Sequence, residues 1–355
     1  MIEKAEFIAL FSPPFLTALF VAFATTPVTI ALAWKLGLVD NPLQHRHPKV
    51  VHTYPVPRGG GLPIFVALAV GSVIFLRHDP RIVGIISGAL IALVVGLADD
   101  KWDISPYLRI VANVLTGLPL IAVGVELSYI TNPYGGILLF STLVSVGLTL
   151  LWVGGMMNFV GMGAGGIEGQ HAGVIAIAAL TLALLAARYI NDQSQWPVVL
   201  LAALTAGAYT GFLPWNFYPQ KIMPGYSGKS LAGYLLAVIA ILATAKVATL
   251  ILVLAVPIAD VGWAMIRRIL SGHSPVWGDR GHLHHYLLDL GWGKRRIAVF
   301  YWIVTAVSGG LALSLNSKQK FYTLITAFLT IGAVVLWLSF WTSFKVFGRG
   351  NGSRT

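Results

Sequence analysis

The residues best equipped for chemistry lie in one stretch, Gly278-Asp279-Arg280-Gly281-His282-Leu283-His284-His285. Three histidines fall within four positions, and an acid and a base precede them. Imidazole can ligate a metal, carry a proton, or donate to phosphate when charged. On a helix, His282 and His285 would share a face at i, i+3, with His284 turned aside. A solvated basic loop would account for one histidine. Three, in the longest polar segment of a chain poor in charge, point to a site.

Other segments follow the same logic. Asp99 and Asp100 are neighbouring carboxylates at the end of an apolar run, costly unless they meet water, a cation or a metal. A divalent cation would relieve their repulsion, whereas Asp103, ahead of Ser105-Pro106, reads as a helix cap. The segment from Asn41 to Gly61 holds His52 and Arg58, is stiffened by Pro55 and Pro57, and closes on Gly59-Gly60-Gly61. A glycine-rich turn opening a helix leaves N–H groups for an anion, so this loop reads as phosphate-facing. Between Asn158 and His171 five glycines surround Glu168 and Gln170. A carboxylate in such a loop can approach a ligand closely. Gly225-Tyr226-Ser227-Gly228-Lys229-Ser230 offers backbone N–H groups and a lysine to a phosphate. It is no P-loop, because the Walker spacing and the preceding strand are missing. Asp260 stands inside an apolar run after Pro257, which makes it functional, a charge snorkelling to the inner end of the span, or the partner of Arg267 two turns on.

The elements that must hold these residues are membrane helices. Of 355 residues, 57% are apolar and 10% charged, too apolar for a soluble globule. Several continuous runs reach the roughly 20 residues that span a bilayer, and without alternation they read as helices. Eleven spans are expected, at about 12–37, 60–77, 82–98, 105–125, 136–155, 171–190, 197–215, 230–243, 247–266, 297–315 and 322–344. The polar start Glu3-Lys4-Ala5-Glu6 and the long first run argue against a cleaved signal. With no cysteine, disulfides and thiolate metal sites are excluded. The formal charge of +11 suggests nucleic acid, but the basic residues are spread over short loops, so that class is excluded. Placing the amino terminus outside puts 17 of the 24 basic residues and eight of the nine histidines on the inner side. That bias predicts an all-α polytopic bundle, amino terminus out and carboxyl terminus cytoplasmic. Its single membrane domain would carry inner loops at 38–60, 99–104, 156–170, 216–229 and 267–296.

From about Asn41 to Arg296 these stretches resemble, in order, the polyprenyl-phosphate N-acetylhexosamine-1-phosphate transferases. The most specific part is Pro257-Ile258-Ala259-Asp260, then Arg267-Arg268, then Asp279 to His285. The resemblance implies transfer of a hexosamine 1-phosphate, such as GlcNAc 1-phosphate, from a UDP-sugar to polyprenyl (undecaprenyl) phosphate, with release of UMP, at the start of a cell-envelope glycan. It implies a plasma-membrane enzyme with a cytoplasmic active site, partnered by UDP-N-acetylhexosamine, polyprenyl phosphate and the bilayer, and it admits a homodimer. Asp99, Asp100, His282, His284 and His285 take the catalytic positions. His52, Arg58, Asn158, Glu168, Lys229, Asp279 and Arg280 take substrate-binding ones. A magnesium ion is implied, on Asp99, Asp100 and Glu168.

Two departures touch that ion. The family's Asp-Gly-x-Asp-Gly is matched here by Gly165-Gly166-Ile167-Glu168-Gly169, with one acid lost and one replaced by Glu168. In the family's Gly-Asp-x-Gly-Ser, Tyr226 stands at the acid and Lys229 at the serine. A neutral phenol is a poor magnesium ligand. Three outcomes follow: the remaining acids and substrate phosphates hold the ion, Lys229 replaces part of its charge, or the chain binds without turnover. A transporter would carry charges along a pathway through the membrane, whereas these cluster on one side.

Overall fold

The computed structural model describes residues 2–43, 51–243, 247–276 and 279–350, with side chains from 5 to 338. Residues 44–50 of the first loop, Gly278 and Arg354 lie outside the described residues. The helices are α1 (Ile2–Leu36), α2 (Gly61–Phe75), α3 (Ile82–Trp102), α4 (Pro106–Leu115), α5 (Leu118–Ala122), α6 (Thr142–Gly163), α7 (Gln170–Ala186), α8 (Trp196–Asn216), α9 (Gly225–Leu242), α10 (Val247–Val253), α11 (Ala255–Leu270), α12 (Leu283–Asp289), α13 (Lys294–Ser314) and α14 (Ser317–Gly350). Strand β1 (Val39–Asp40) pairs antiparallel with β2 (Val56–Pro57), and β3 (Tyr129–Thr131) with β4 (Ile137–Leu139).

The chain is an all-α polytopic membrane protein. Among the described residues eight helices are long and apolar enough to cross a bilayer. The pair α10–α11, bent by 83°, would make a ninth. The expected span 247–266 is therefore broken. Pro257 sits in the first turn of α11 and cannot donate to the carbonyl one turn back, which removes a rung where the chain bends. The expected spans at 60–77 and 105–125 are the short α2 and the α4–α5 segment. Helix α6 begins at Thr142 rather than 136, because residues 137–139 pair in a hairpin instead.

Helix α9 is the centre of the bundle. It is buried along nearly its whole length and packs on α3, α6, α2 and α7. Small residues permit the close approach. A Cβ at Gly96 of α3 would run into Ser227, and one at Gly233 into Met157. The helix begins at Gly225, five residues earlier than the expected span, so residues 225–230 are its first turns and not a free loop. Helix α1 covers α8, and α7 lies between α8 and α13.

Candidate active site

The polar residues gather where the ends of α3, α6 and α11 meet the starts of α7, α9, α12 and α13. The two adjacent acids of α3 are both buried and have different partners. Asp99 receives Arg109 Nη1 of α4 at 3.0 Å on each carboxylate oxygen. Asp100 accepts the backbone N–H of Tyr226 at 2.7 Å and, on its other oxygen, the Ser227 hydroxyl at 2.7 Å and N–H at 3.3 Å. Helix α9 has Pro224 at its N-cap and no local side-chain cap, so Asp100 supplies the acceptor from α3. The N–H groups expected to cradle phosphate are therefore already engaged. Gly225, with φ +65°, admits this approach, because a Cβ there would collide with the Asp100 carboxylate.

Tyr226 faces the other acid. Its hydroxyl accepts from Asn113 Nδ2 at 2.7 Å, and its ring lies 4.9 Å from the Arg109 guanidinium. Arg109 and Asn113 were not among the expected site residues. Their signal was in the sequence: they are i, i+4 on a helix that starts four residues beyond Trp102.

A third carboxylate closes the histidine stretch. Asp260 of α11 is fully buried and accepts the Leu283 N–H at 2.8 Å, the first turn of α12. Its other oxygen lies 3.0 Å from His282 Nδ1, while Arg268 Nη2 lies 3.1 Å from His282 Nε2. A guanidinium only donates and a carboxylate only accepts, so the tautomer with its proton on Nδ1 satisfies both contacts. Both its ring nitrogens are engaged, and it orients the stretch; the expected role as a phosphate donor does not fit this geometry. Asp260 does not pair with Arg267, as the two-turn spacing had suggested. Arg267 and Arg268 instead both grip Asp279, at 2.8 and 3.1 Å. Burial alone would raise the Asp279 pKa, but Arg268, the Gly281 N–H and Arg267 hold it well below the usual carboxylate range. Asp279 is thus a strut of the loop, and Arg280 makes an exposed pair with Asp289 at 3.1 Å.

His284 is not turned aside. Its ring stacks on His282 at 5.6 Å and lies 4.2 Å from that of His285. It is buried, and a Cβ at Gly166 would strike its ring. The glycine segment is thus a close-packed wall rather than a linker. Burial first, then the charges of its neighbours including Lys229, pushes the His284 pKa well below its ordinary value. Burial and Arg280 lower that of His285 to about 4. The Nδ1 atoms of both rings are buried without a hydrogen-bond partner among the described residues.

Lys229, one turn into α9, reaches the same wall. A Cβ at Gly165 would lie 2.8 Å from its Nζ. Glu168 is bound elsewhere, by Lys294 Nζ of α13 at 2.6 Å and the Gln220 N–H at 3.1 Å. Gln220 also receives the Tyr54 hydroxyl at 3.2 Å. Arg58 donates to Asp40 Oδ2 at 2.6 Å. Burial opposes its charge, yet Asp40 and then Asp100 raise its pKa. His52 lies 4.0 Å from Asp40, and burial lowers its pKa. Asn158 Nδ2 donates to Gly154 within α6.

The expected magnesium set is not assembled. Asp99 holds Arg109, Asp100 caps α9, and Glu168 holds Lys294. Among the described residues no three His, Asp or Glu side chains are grouped to hold a metal ion. Each carboxylate is engaged by its own protein donors, cationic at Asp99 and Glu168 and neutral at Asp100, so the donor set does not fit the ion the resemblance implied.

Comparison with known proteins places these residues in context. The family model of glycosyl transferase family 4 matches residues 82–244, which include Asp99, Asp100, Asn158, Glu168 and Lys229. The chain is 28% identical over 324 residues to the "Probable undecaprenyl-phosphate N-acetylglucosaminyl 1-phosphate transferase" of Bacillus subtilis (strain 168), covering 89% of this chain and 88% of that one. It is 30% identical over 360 residues to the "Decaprenyl-phosphate N-acetylglucosaminephosphotransferase" of Mycobacterium tuberculosis (strain ATCC 25618 / H37Rv), covering 90% and 85%. A "Phospho-N-acetylmuramoyl-pentapeptide-transferase" of Desulforudis audaxviator (strain MP104C) is 29% identical over 344 residues, covering 85% and 98%.

Proposed function

The chain belongs to glycosyl transferase family 4, and from that premise we propose that it transfers N-acetylhexosamine 1-phosphate from a UDP-sugar to polyprenyl phosphate, releasing UMP. The single observation that carries the reading is similarity along at least 85% of both chains to relatives named for GlcNAc-phosphate transfer to decaprenyl and undecaprenyl phosphate. GlcNAc 1-phosphate is the group those names favour. The eight long helices, the bent pair, α2 and the α4–α5 segment together support eleven crossings. The lysine and arginine bias supports an outer amino terminus and a cytoplasmic site in the plasma membrane.

The acceptor phosphate attacks the sugar-linked phosphorus in line. One P–O bond forms, the bond to the UMP phosphate breaks, and UMP leaves with the electron pair. A phosphate monoester with a second pKa near ~6 is mostly ionised at pH 7, so no proton has to be removed from it. The protein's task is then position and charge. Arg58, Arg109 and Lys229 supply cations around the α9 start, and His284 and His285 are neutral donors beside them. Asp99 orients Arg109, and Asp100 and Asp260 fix the two helix starts. An attack from the lipid side explains why these groups lie at one end of an apolar bundle.

Purified protein with UDP-N-acetylglucosamine and undecaprenyl phosphate should release UMP and form a lipid-linked pyrophosphate sugar. Binding of the UDP-sugar without UMP release would favour a relative that binds without turnover.

A further inference from the structure

The cation that assists the departing phosphate needs a source, and the carboxylates do not offer a metal site. We propose that this transferase works without a bound divalent cation, and that the Lys229 ammonium supplies its charge at the reacting phosphates. The inference rests on the transferase reading above and deepens it.

Three observations carry it. First, the acids are committed to protein donors: Asp99 to Arg109, Asp100 to the start of α9 and Glu168 to Lys294. A magnesium ion would have to strip Arg109 from one and uncap a helix at another. Second, the residue between those acids on the α9 start is a phenol that accepts from Asn113, with a guanidinium over its ring. That corner is furnished for cationic side chains. Third, Lys229 extends from α9 across the end of α6. Its Cβ lies 3.8 Å from where a Cβ of Gly161 would be, and its Nζ occupies the space a side chain at Gly165 would need. The next residue, Gly166, is the one that abuts His284, and the charge of Lys229 acts on that imidazole. Glycines at 165 and 166 thus admit an ammonium and an imidazole to one wall of the site. Lysine binds phosphate as a point charge and needs no carboxylate cage. In the transfer the ammonium keeps its protons and neutralises charge on the phosphate oxygens as the P–O bond to UMP breaks.

The test uses full-length purified protein in detergent, with UDP-N-acetylglucosamine and undecaprenyl phosphate. UMP release is followed with EDTA and with magnesium. Manganese is titrated into the protein alone and followed by electron paramagnetic resonance. Wild type should turn over equally in both buffers and leave the manganese spectrum free. Lys229→Met should lose about 100-fold in rate or more, as for removal of one charge-stabilising donor, with UDP-sugar binding retained. Lys229→Arg should keep part of the rate and covers the case in which the methionine variant fails to fold. Tyr226→Asp with Lys229→Ser should bind the ion and deplete the free manganese signal. Turnover that EDTA abolishes and magnesium restores overturns the inference and leaves the transferase reading intact. So does full activity in Lys229→Met. Absence of UMP release in both buffers overturns the two together.

Discussion

Asp100 of α3 and Ser227 of α9 are joined by both the serine hydroxyl, at 2.7 Å, and its backbone N–H, at 3.3 Å. The helix that runs through the centre of the bundle therefore starts on a carboxylate borrowed from its neighbour. Asp260 does the same for α12 through the Leu283 N–H. Neither helix has a side-chain cap of its own. Two buried acids are tied to helix starts, where a negative charge is stabilised by the exposed N–H groups and the helix dipole.

Asp99 and Asp100 should separate by assay. Asp100→Asn keeps one acceptor oxygen but replaces the other with an amide that cannot accept, so one set of buried α9 donors loses its partner and the melting temperature in detergent should fall, by the equivalent of about 1–2 kcal/mol. Asp99→Asn frees Arg109, which is partly exposed, and should leave the melting temperature nearly unchanged while UMP release drops about 100-fold. Equal melting temperatures for both variants would refute the division of labour.

Removing the Asp260 side chain should release the histidine stretch. Asp260→Ala leaves the Leu283 N–H and His282 Nδ1 without their acceptor in a buried site, a cost of about 2–4 kcal/mol. Asp260→Asn retains one acceptor oxygen for Leu283 and should cost less. Limited proteolysis between residues 271 and 293 reports the opening. Unchanged cleavage in Asp260→Ala would count against the strut.

Much of this was legible before the fold was known. Continuous apolar runs give membrane helices, and the acids and histidines at their ends stand out against so little charge. What was not legible is partnership between distant segments. Nothing local says that Asp100 meets residue 227, or that Glu168 meets Lys294 across 126 positions. The helical start at Gly225 was hidden because its cap comes from another helix. The two-turn pairing of Asp260 with Arg267 failed because Asp279 is held by both arginines, which a one-helix reading cannot see. Arg109 and Asn113 were missed for the opposite reason, since their i, i+4 spacing was visible but their partners were not.

The histidines set a pH response. The folded pKa of His285 is about 4 and that of His284 is also depressed, against 6.5 unfolded. Between those values the unfolded chain binds more protons, so stability rises with pH. Their contribution is fully present above about 6.5 and is lost as pH falls towards about 4. Melting temperatures across that window should fall steeply for wild type and less for His284→Gln with His285→Gln. Parallel slopes would mean other groups govern the acid edge.

The wall formed by Gly165 and Gly166 offers the sharpest contrast. A Cβ at Gly166 would land on the Cε1 and Nε2 atoms of His284. That ring is held between His282 and His285 and cannot retreat without moving them. Overpacking of this kind costs about 1–3 kcal/mol. A Cβ at Gly165 instead meets the far end of Lys229, a flexible chain that can swing away. Gly166→Ala should therefore lower the melting temperature, and Gly165→Ala should leave it near wild type while displacing the ammonium and slowing UMP release. The cause is checked by a cycle. In a His284→Ala background the ring is gone, so Gly166→Ala should cost little, and the two changes should be strongly non-additive. An equal cost of Gly166→Ala with and without the imidazole would show that backbone freedom at this glycine, and not its contact with His284, is what the position requires.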